Sequence, residues 1–210
     1  MSLRYLTAKL AQQIDEELMN AAGAFSIDQL MELAGLACAQ TLATVYSRRR
    51  NQGGDGLVAA RHLATIWMPK SQSPPKRLKT QCDNMHIQTI APSSDVQPLR
   101  DALARSDVIL DAIFGFSFQP PVRAPFDAAL PLISQSGLPI VSVDIPSGWD
   151  VEKGNAVGVG LNPDGFKGRH FLGGRFVPKA MEEKFQLNLP AYPGFDQIVE
   201  LPSAESSQKL

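Results

Sequence analysis

Three stretches of the 210-residue chain join glycine to a carboxylate or an amide: NQGGDG (51–56), DAIFGFSFQPPVR (111–123) and DIPSGWD (144–150). Glycine lets a backbone come close to a phosphate, and a helix that starts on such a loop turns its positive end toward an anion. The first stretch reads as a phosphate-handling turn, because LVAARHLA (57–64) directly after it is patterned as a short helix. A loop of that kind normally follows a buried β-strand, which aims its amides. Here Arg48, Arg49 and Arg50 stand where the strand should end. Taken singly, each stretch reads as an ordinary turn, since glycine beside aspartate mostly marks one. Three of them after strands, or where a strand is due, at one end of a sheet read as a ligand site.

Each candidate side chain also has a plainer role open to it. Asp111 and Asp144 fall at strand ends, where a carboxylate often only caps the next helix. Ser147 lies in Pro-Ser-Gly, a common turn, and lacks the Gly-x-Ser-x-Gly setting of a hydrolase nucleophile. Phe114, Phe116 and Phe118 alternate, which fits one face of a strand better than a platform for a stacked ring. His62, His86 and His170 have no metal-ligand spacing and read as structural or surface residues. The three arginines read as a solvated charge run. Neither a Tyr-x-x-x-Lys pair nor a full Gly-x-Gly-x-x-Gly occurs, which argues against a short-chain dehydrogenase.

The elements that must position these stretches follow from hydrophobic periodicity. Leu6, Leu10, Ile14 and Leu18 recur every four residues and predict an N-terminal helix, which Gly23 ends. SIDQLMELAGLACAQTLA (26–43) opens with a capping box, Ser26 and Gln29, ahead of Leu30, Leu33, Ala34 and Ala37. MPKSQSPPKRLKTQ (68–81) reads as a surface loop, and PLRDALARS (98–106) as a short helix. DVILDAIFG (107–115) and LPIVSVDIPSGWD (138–150) contain apolar runs that predict strands buried on both faces. APFDAALPLISQSG (124–137) predicts a helix capped by Gly137, and FVPKAMEEKFQ (176–186) one that starts near Pro178. Helices alternating with buried strands predict an α/β layer fold with a mainly parallel sheet in a single domain over residues 1–210.

Composition narrows the functional classes. The chain is 44% hydrophobic and 20% charged, with a formal net charge of -1. That balance offers no general attraction to nucleic acid or to anionic membranes. No apolar run approaches the roughly 20 residues of a membrane span. Cys38 and Cys82 are too few and too far apart for a disulfide framework or a zinc site, so they read as free thiols in a reducing compartment. The first twenty residues carry Asp15, Glu16 and Glu17 and no apolar core, unlike a secretory signal or a transit peptide. The expectation is a soluble intracellular chain.

With NQGGDG, DAIFGFSF (111–118), DIPSGWD, VEKGN (151–155), LGGRFVP (172–178) and QLNLPAYPG (186–194) taken together, the chain resembles the NAD(P)HX epimerase family, the YjeF N-terminal domain. The resemblance implies a Rossmann-like three-layer sandwich with N-terminal helices. It also implies an activity: interconversion of the R and S forms of NADH and NADPH hydrated at C6 of the nicotinamide ring, as part of nicotinamide nucleotide repair. Carried over by motif, substrate contacts fall on Asn51, Gln52, Gly53, Gly54 and Asp55, on Gly115, Phe116, Ser117, Phe118, Gln119, Pro120 and Pro121, and on Asp144. Asp144 is also the implied proton-transfer residue. A potassium ion would be held by Gln52, Asp111 and Ser147, whose amide, carboxylate and hydroxyl oxygens suit a hard cation. The resemblance allows a homodimer, and a cytoplasmic or mitochondrial location. A non-catalytic interaction domain of the same fold, as in YjeF-type modules of RNA-decapping scaffolds, is the competing reading.

Against the family pattern, Gln52 replaces a second Asn, and Gln119, Pro120 and Pro121 replace the commoner Lys-Gly-Asp. Three stretches are missing: the apolar strand and Gly-Pro-Gly before residue 51, where VYSRRR (45–50) stands, a few residues before TIWMPK (65–70), and a strand between LNPDG (161–165) and FKGRHFLGGRF (166–176). A strand averages about five to six residues, so whole elements are absent and the sheet is expected to be incomplete.

Overall fold

Two kinds of surface must be buried by a chain of this pattern, the apolar stripes of its helices and the faces of its short strands. The computed structural model describes residues 6–46, 66–67, 76–90, 95–156, 158–162 and 168–202, with the backbone path alone at 66–67 and 76–78. The glycine loop at 51–56 and the helix expected at 57–64 lie outside these residues. In chain order the described elements are α1 (Ala8–Met19), α2 (Ile27–Tyr46), β1 (Ile66–Trp67), α3 (Lys76–Asn84), β2 (Thr89–Ile90), α4 (Gln97–Leu103), β3 (Ile109–Asp111), α5 (Phe126–Gln135), β4 (Ile140–Ser142), β5 (His170–Gly173), α6 (Lys179–Phe185) and β6 (Ile198–Leu201). They gather into two units, residues 1–51 with 167–210 and residues 52–166.

In the first unit α1 begins at Thr7, whose Oγ1 accepts the Leu10 N–H at 3.3 Å. Ile14 and Leu18 are buried with Met181 and Leu187, and Leu10 packs on them, so the four-residue stripe operates from Leu10 onward. The capping box forms as its residues predict. The Ser26 N–H donates to Gln29 Oε1 at 2.8 Å and the Gln29 N–H to Ser26 Oγ at 3.2 Å. α2 packs against β5 and β6, an antiparallel pair running from His170↔Leu201 to Gly173↔Ile198. The sequence reading did not anticipate this ladder, because FKGRHFLGGRF interleaves basic and glycine residues among its apolar ones and shows no clean alternation.

The second unit holds the two parallel pairs, β1 with β2 and β3 with β4. α5 buries Phe126, Ala129, Leu130 and Ile133, a spacing of three, four and seven that makes one helical face. Leu130 and Ile133 form a core with Ile140 of β4 and Leu161, and Ile109 of β3 packs against it. Gly137 follows the helix at φ 68°, the left-handed position expected of its cap.

Two expectations need correcting. Residues 76–81, read as surface loop, belong to α3. After Pro74 and Pro75 the run opens with four good helix formers, Lys76, Arg77, Leu78 and Lys79, and Lys79 Nζ reaches Asp83 Oδ2 one turn on at 2.7 Å. The strand at Ile109–Asp111 is not buried on both faces: Leu110 is 43% exposed. Alternation explains this, since α5 covers the face carrying Ile109 and Ile140 and Leu110 points to the other. Among the described residues no helix is long and apolar enough to cross a membrane. Leu130, 2% exposed at the centre of the second core, is the sensitive position. Leu130→Ala should cost about 2–5 kcal/mol in urea unfolding, and a loss under about 1 kcal/mol would mean that α5 does not seal this sheet.

Candidate functional site

β3 and β4 run parallel in register, with Asp111 opposite Ser142. Their C-terminal ends therefore release two loops side by side, the region where α/β sheets bind ligands. Asp111 closes β3 and is 2% exposed, and Ser147 in the loop after β4 is 0% exposed. Buried polar groups must find partners, and these find each other. Asp111 Oδ2 accepts Ser142 Oγ at 2.8 Å and the Ser147 N–H at 2.9 Å. Asp111 Oδ1 accepts Ser147 Oγ at 2.6 Å and, at a longer 3.4 Å, the Ile113 N–H. Ser147 Oγ in turn accepts the Phe114 N–H at 3.1 Å. Asp111 is thus no helix cap and Ser147 no plain turn residue: together they bolt the two loops to each other.

That bolt sets the next contact. Phe114 enters a turn closed by the Phe118 N–H on the Gly115 carbonyl at 3.0 Å, and the Phe116 N–H then meets Asp144 Oδ2 at 2.6 Å. A Cβ at Gly115 would stand 3.0 Å from the same oxygen, so glycine leaves the carboxyl its place. Asp144 has φ 65°, a left-handed conformation rare for any residue with a side chain and tolerated best by Asn and Asp. Such strain persists where surrounding contacts hold it, which is common at functional sites. The residue as a whole is open to solvent, yet its carboxyl is turned in against the Gly115–Phe116 backbone. Burial of that carboxyl raises its pKa above the ordinary 3.8, and the Phe116 hydrogen bond pulls it partly back.

A third segment braces the loop after β4. The Leu161 N–H donates to the Ser147 carbonyl at 2.9 Å, and Trp149 Nε1 donates to the Leu161 carbonyl at 2.7 Å. Gly148, at φ 91°, lies so near Gly160 that a Cβ would come within 2.7 Å of its Cα. Asn155 holds Gly160 from both sides, Oδ1 accepting its N–H at 3.0 Å and Nδ2 donating to its carbonyl at 3.3 Å.

The alternation of Phe114, Phe116 and Phe118 does not make a strand face. The segment is a loop, and the rings of Phe114 and Phe118 stack with centroids 4.3 Å apart while Phe114 also meets Phe126 at 4.7 Å. Ser117, Gln119, Pro120 and Pro121 are exposed along the same loop. Of the residues named from sequence, Asp111, Asp144, Ser147, Gly115 and Phe116 come together. Asn51, Gln52, Gly53, Gly54 and Asp55 lie outside the described residues. His86 and His170 are exposed and take no part. Ser142 and Asn155 were missed. A serine inside the apolar run IVSVD was the available signal for Ser142, and for Asn155 it was its place at the end of VEKGN. Among the described residues no three or more His, Cys, Asp or Glu come together in a group able to hold a metal ion. A cavity of about 350 Å³ lined by Arg175, Glu182 and Tyr192 belongs to the other unit and contains none of these residues.

Comparison with known proteins finds similar chains along most of the length. A family described as YjeF-related protein N-terminus matches residues 15–166. A protein of Cryptococcus neoformans named NAD(P)H-hydrate epimerase is 48% identical, covering 96% of this chain and 99% of its own. A protein of the same name from Sclerotinia sclerotiorum is 44% identical, covering 100% of both chains. The crystal structure of yeast ynu0, YNL200c, superposes with a TM-score of 0.81 at 32% identity, covering 95% of this chain and 100% of that one. The Cryptococcus alignment spans 249 positions on a 210-residue chain, which puts at least 39 of the relative's positions opposite internal gaps here.

The raised pKa of Asp144 has a thermodynamic consequence. A carboxyl raised on folding costs no stability below its unfolded value of about 3.8 and loses stability for the fold as pH climbs through the higher folded value. Asp144→Asn removes that loss. The melting temperature of Asp144→Asn relative to the unsubstituted chain should therefore rise as pH goes from 3 to about 7. A difference that is flat across this window would mean that the carboxyl is not buried as described.

Proposed function

Because the chain belongs to the YjeF-related protein N-terminus family, we propose that it is an epimerase of hydrated NADH and NADPH, NADHX and NADPHX. The observation that carries the reading is the Asp144 carboxyl held against the Phe116 N–H at 2.6 Å, on loops that leave the same end of a parallel strand pair. Inverting C6 of the hydrated ring requires breaking its bond to the hydroxyl with help from the ring nitrogen lone pair. The hydroxyl leaves as water if a proton is delivered to it, and water returns to the other face as a proton is taken back. A carboxyl with a raised pKa can give and recover that proton, a service worth roughly 10²–10⁴-fold.

In this reading Asn51, Gln52, Gly53, Gly54 and Asp55 receive the dinucleotide through the first loop, and Gly115, Phe116, Ser117, Phe118, Gln119, Pro120 and Pro121 flank it from the second. The family's cation, potassium, would be held by Gln52, Asp111 and Ser147. The donors suit it: a single carboxylate and a hydroxyl offer hard oxygens, and Asp111 Oδ1 keeps acceptor capacity because its second bond is long at 3.4 Å. A bound cation would add positive charge beside the two loops. The half-buried free thiols of Cys38 and Cys82 accord with a reducing, cytoplasmic setting.

The internal gaps bear on this chain's own rate. Among the described residues β3 has one strand partner, β4. A glycine loop needs a rigid strand behind it to hold its amides before the ligand arrives. The arginines of VYSRRR are poor material for a sheet centre. The chain as it stands should therefore show low or no epimerase activity, and one carrying the relatives' segments should be the more active.

Epimer exchange of hydrated NADPH, followed by NMR, tests both points. The segment-restored version should turn over faster than the 210-residue chain, and Asp144→Asn in that version should be slower by roughly 10²–10⁴-fold with dinucleotide binding retained. Full activity in Asp144→Asn would remove Asp144 from the chemistry. Equal rates in the restored and unrestored chains would show that the gaps leave the first loop supported.

A further inference from the structure

Ser142 has no role in the reading so far, yet its hydroxyl makes one of the three short bonds to Asp111. Asp111 and Ser142 are register partners on β3 and β4, so the strand pairing itself brings the hydroxyl to Oδ2 at 2.8 Å. A carboxylate oxygen in its plane has two lone-pair directions. On Oδ2 both are taken, by Ser142 Oγ and by the Ser147 N–H at 2.9 Å. On Oδ1 one is taken by Ser147 Oγ at 2.6 Å, and the other meets the Ile113 N–H only at 3.4 Å. The two oxygens are therefore unequal: Oδ2 is spent inside the protein, and Oδ1 has capacity to share.

We infer that Ser142 is a positioning residue that acts through Asp111, fixing the carboxyl plane so that Oδ1, paired with Ser147 Oγ, is the oxygen available to a monovalent cation. The inference rests on the cation reading above and adds a residue to it. Without the Ser142 hydroxyl, Oδ2 keeps only the Ser147 N–H, and Ser147 alone is left to hold both oxygens of the carboxyl with short bonds. Oδ2 then has an open acceptor direction of its own, and the carboxyl plane that presents Oδ1 is held with one brace fewer. A cation that binds the oriented pair would have to order it first, which lowers its affinity.

The test is thermal unfolding of the 210-residue chain in potassium chloride against equal concentrations of tetramethylammonium chloride, with Ser142→Ala, Ser142→Thr and Ser147→Ala as variants. The expected result is a potassium-specific rise in melting temperature in the unsubstituted chain. In Ser142→Ala the half-saturating potassium concentration should increase by roughly tenfold, the scale of one lost hydrogen bond to a charged group, while Ser142→Thr keeps a value near the original. A merely structural hydroxyl would lower the melting temperature of Ser142→Ala and leave the half-saturating concentration where it was. That outcome, with the potassium response lost in Ser147→Ala, would overturn the role of Ser142 and leave the cation reading standing. No potassium-specific response in the unsubstituted chain would overturn the cation reading, and the role of Ser142 with it.

Discussion

Asp111 is 2% exposed and screened from bulk water, so an acceptor position on its carboxyl left unmet costs about 1–3 kcal/mol. It stands at the end of β3, and the rest of the second unit is arranged around meeting that need. The parallel register supplies Ser142 from the neighbouring strand. The loop after β4 supplies Ser147 twice, through its hydroxyl and its amide. Because three of the four donors belong to β4 or its loop, satisfying Asp111 and joining the two strand ends are one and the same event.

The site follows from that junction. Ser147 Oγ also accepts the Phe114 N–H, which fixes where the loop after β3 turns. The turn brings the Phe116 amide to Asp144, and Gly115 leaves room for the carboxyl that arrives there. Gly148 allows the loop after β4 to lie against Gly160, and Leu161 and Trp149 close that contact with two hydrogen bonds. Leu161 is at once a member of the apolar core and a partner of the Ser147 carbonyl, so core packing and site geometry are coupled through one residue. The left-handed backbone at Asp144 is held between these two braced loops.

Much of this was legible in the residue pattern. Apolar runs ending in Asp placed Asp111 and Asp144 at the ends of strands, and glycine and proline after them marked the loops. The helix at Ile27–Tyr46 was announced by Ser26 and Gln29, whose reciprocal bonds form. Other features depend on partners far away in sequence, which periodicity does not register. Ser142 reads as a polar blemish in an apolar strand until Asp111, 31 residues earlier, is set beside it. Phe114 and Phe118 alternate as strand residues do, but the segment is a loop held by the Phe114 N–H donating to Ser147 Oγ, and their rings stack instead. The exposure of Leu110 depends on which face α5 covers, and a continuous apolar run carries no such information.

If Asp111 is the junction on which both loops depend, protection of the loop amides must be lost together. Amide hydrogen exchange in the unsubstituted chain and in Asp111→Asn tests this most directly. The informative amide is Phe116, which donates to Asp144 and not to Asp111. The account predicts that Asp111→Asn speeds exchange at Ser147, Phe114 and Phe116 alike, while amides of α5 keep their rates. Continued protection of Phe116 beside a freely exchanging Ser147 would contradict it, because Asp144 would then be held in place without the Asp111 junction.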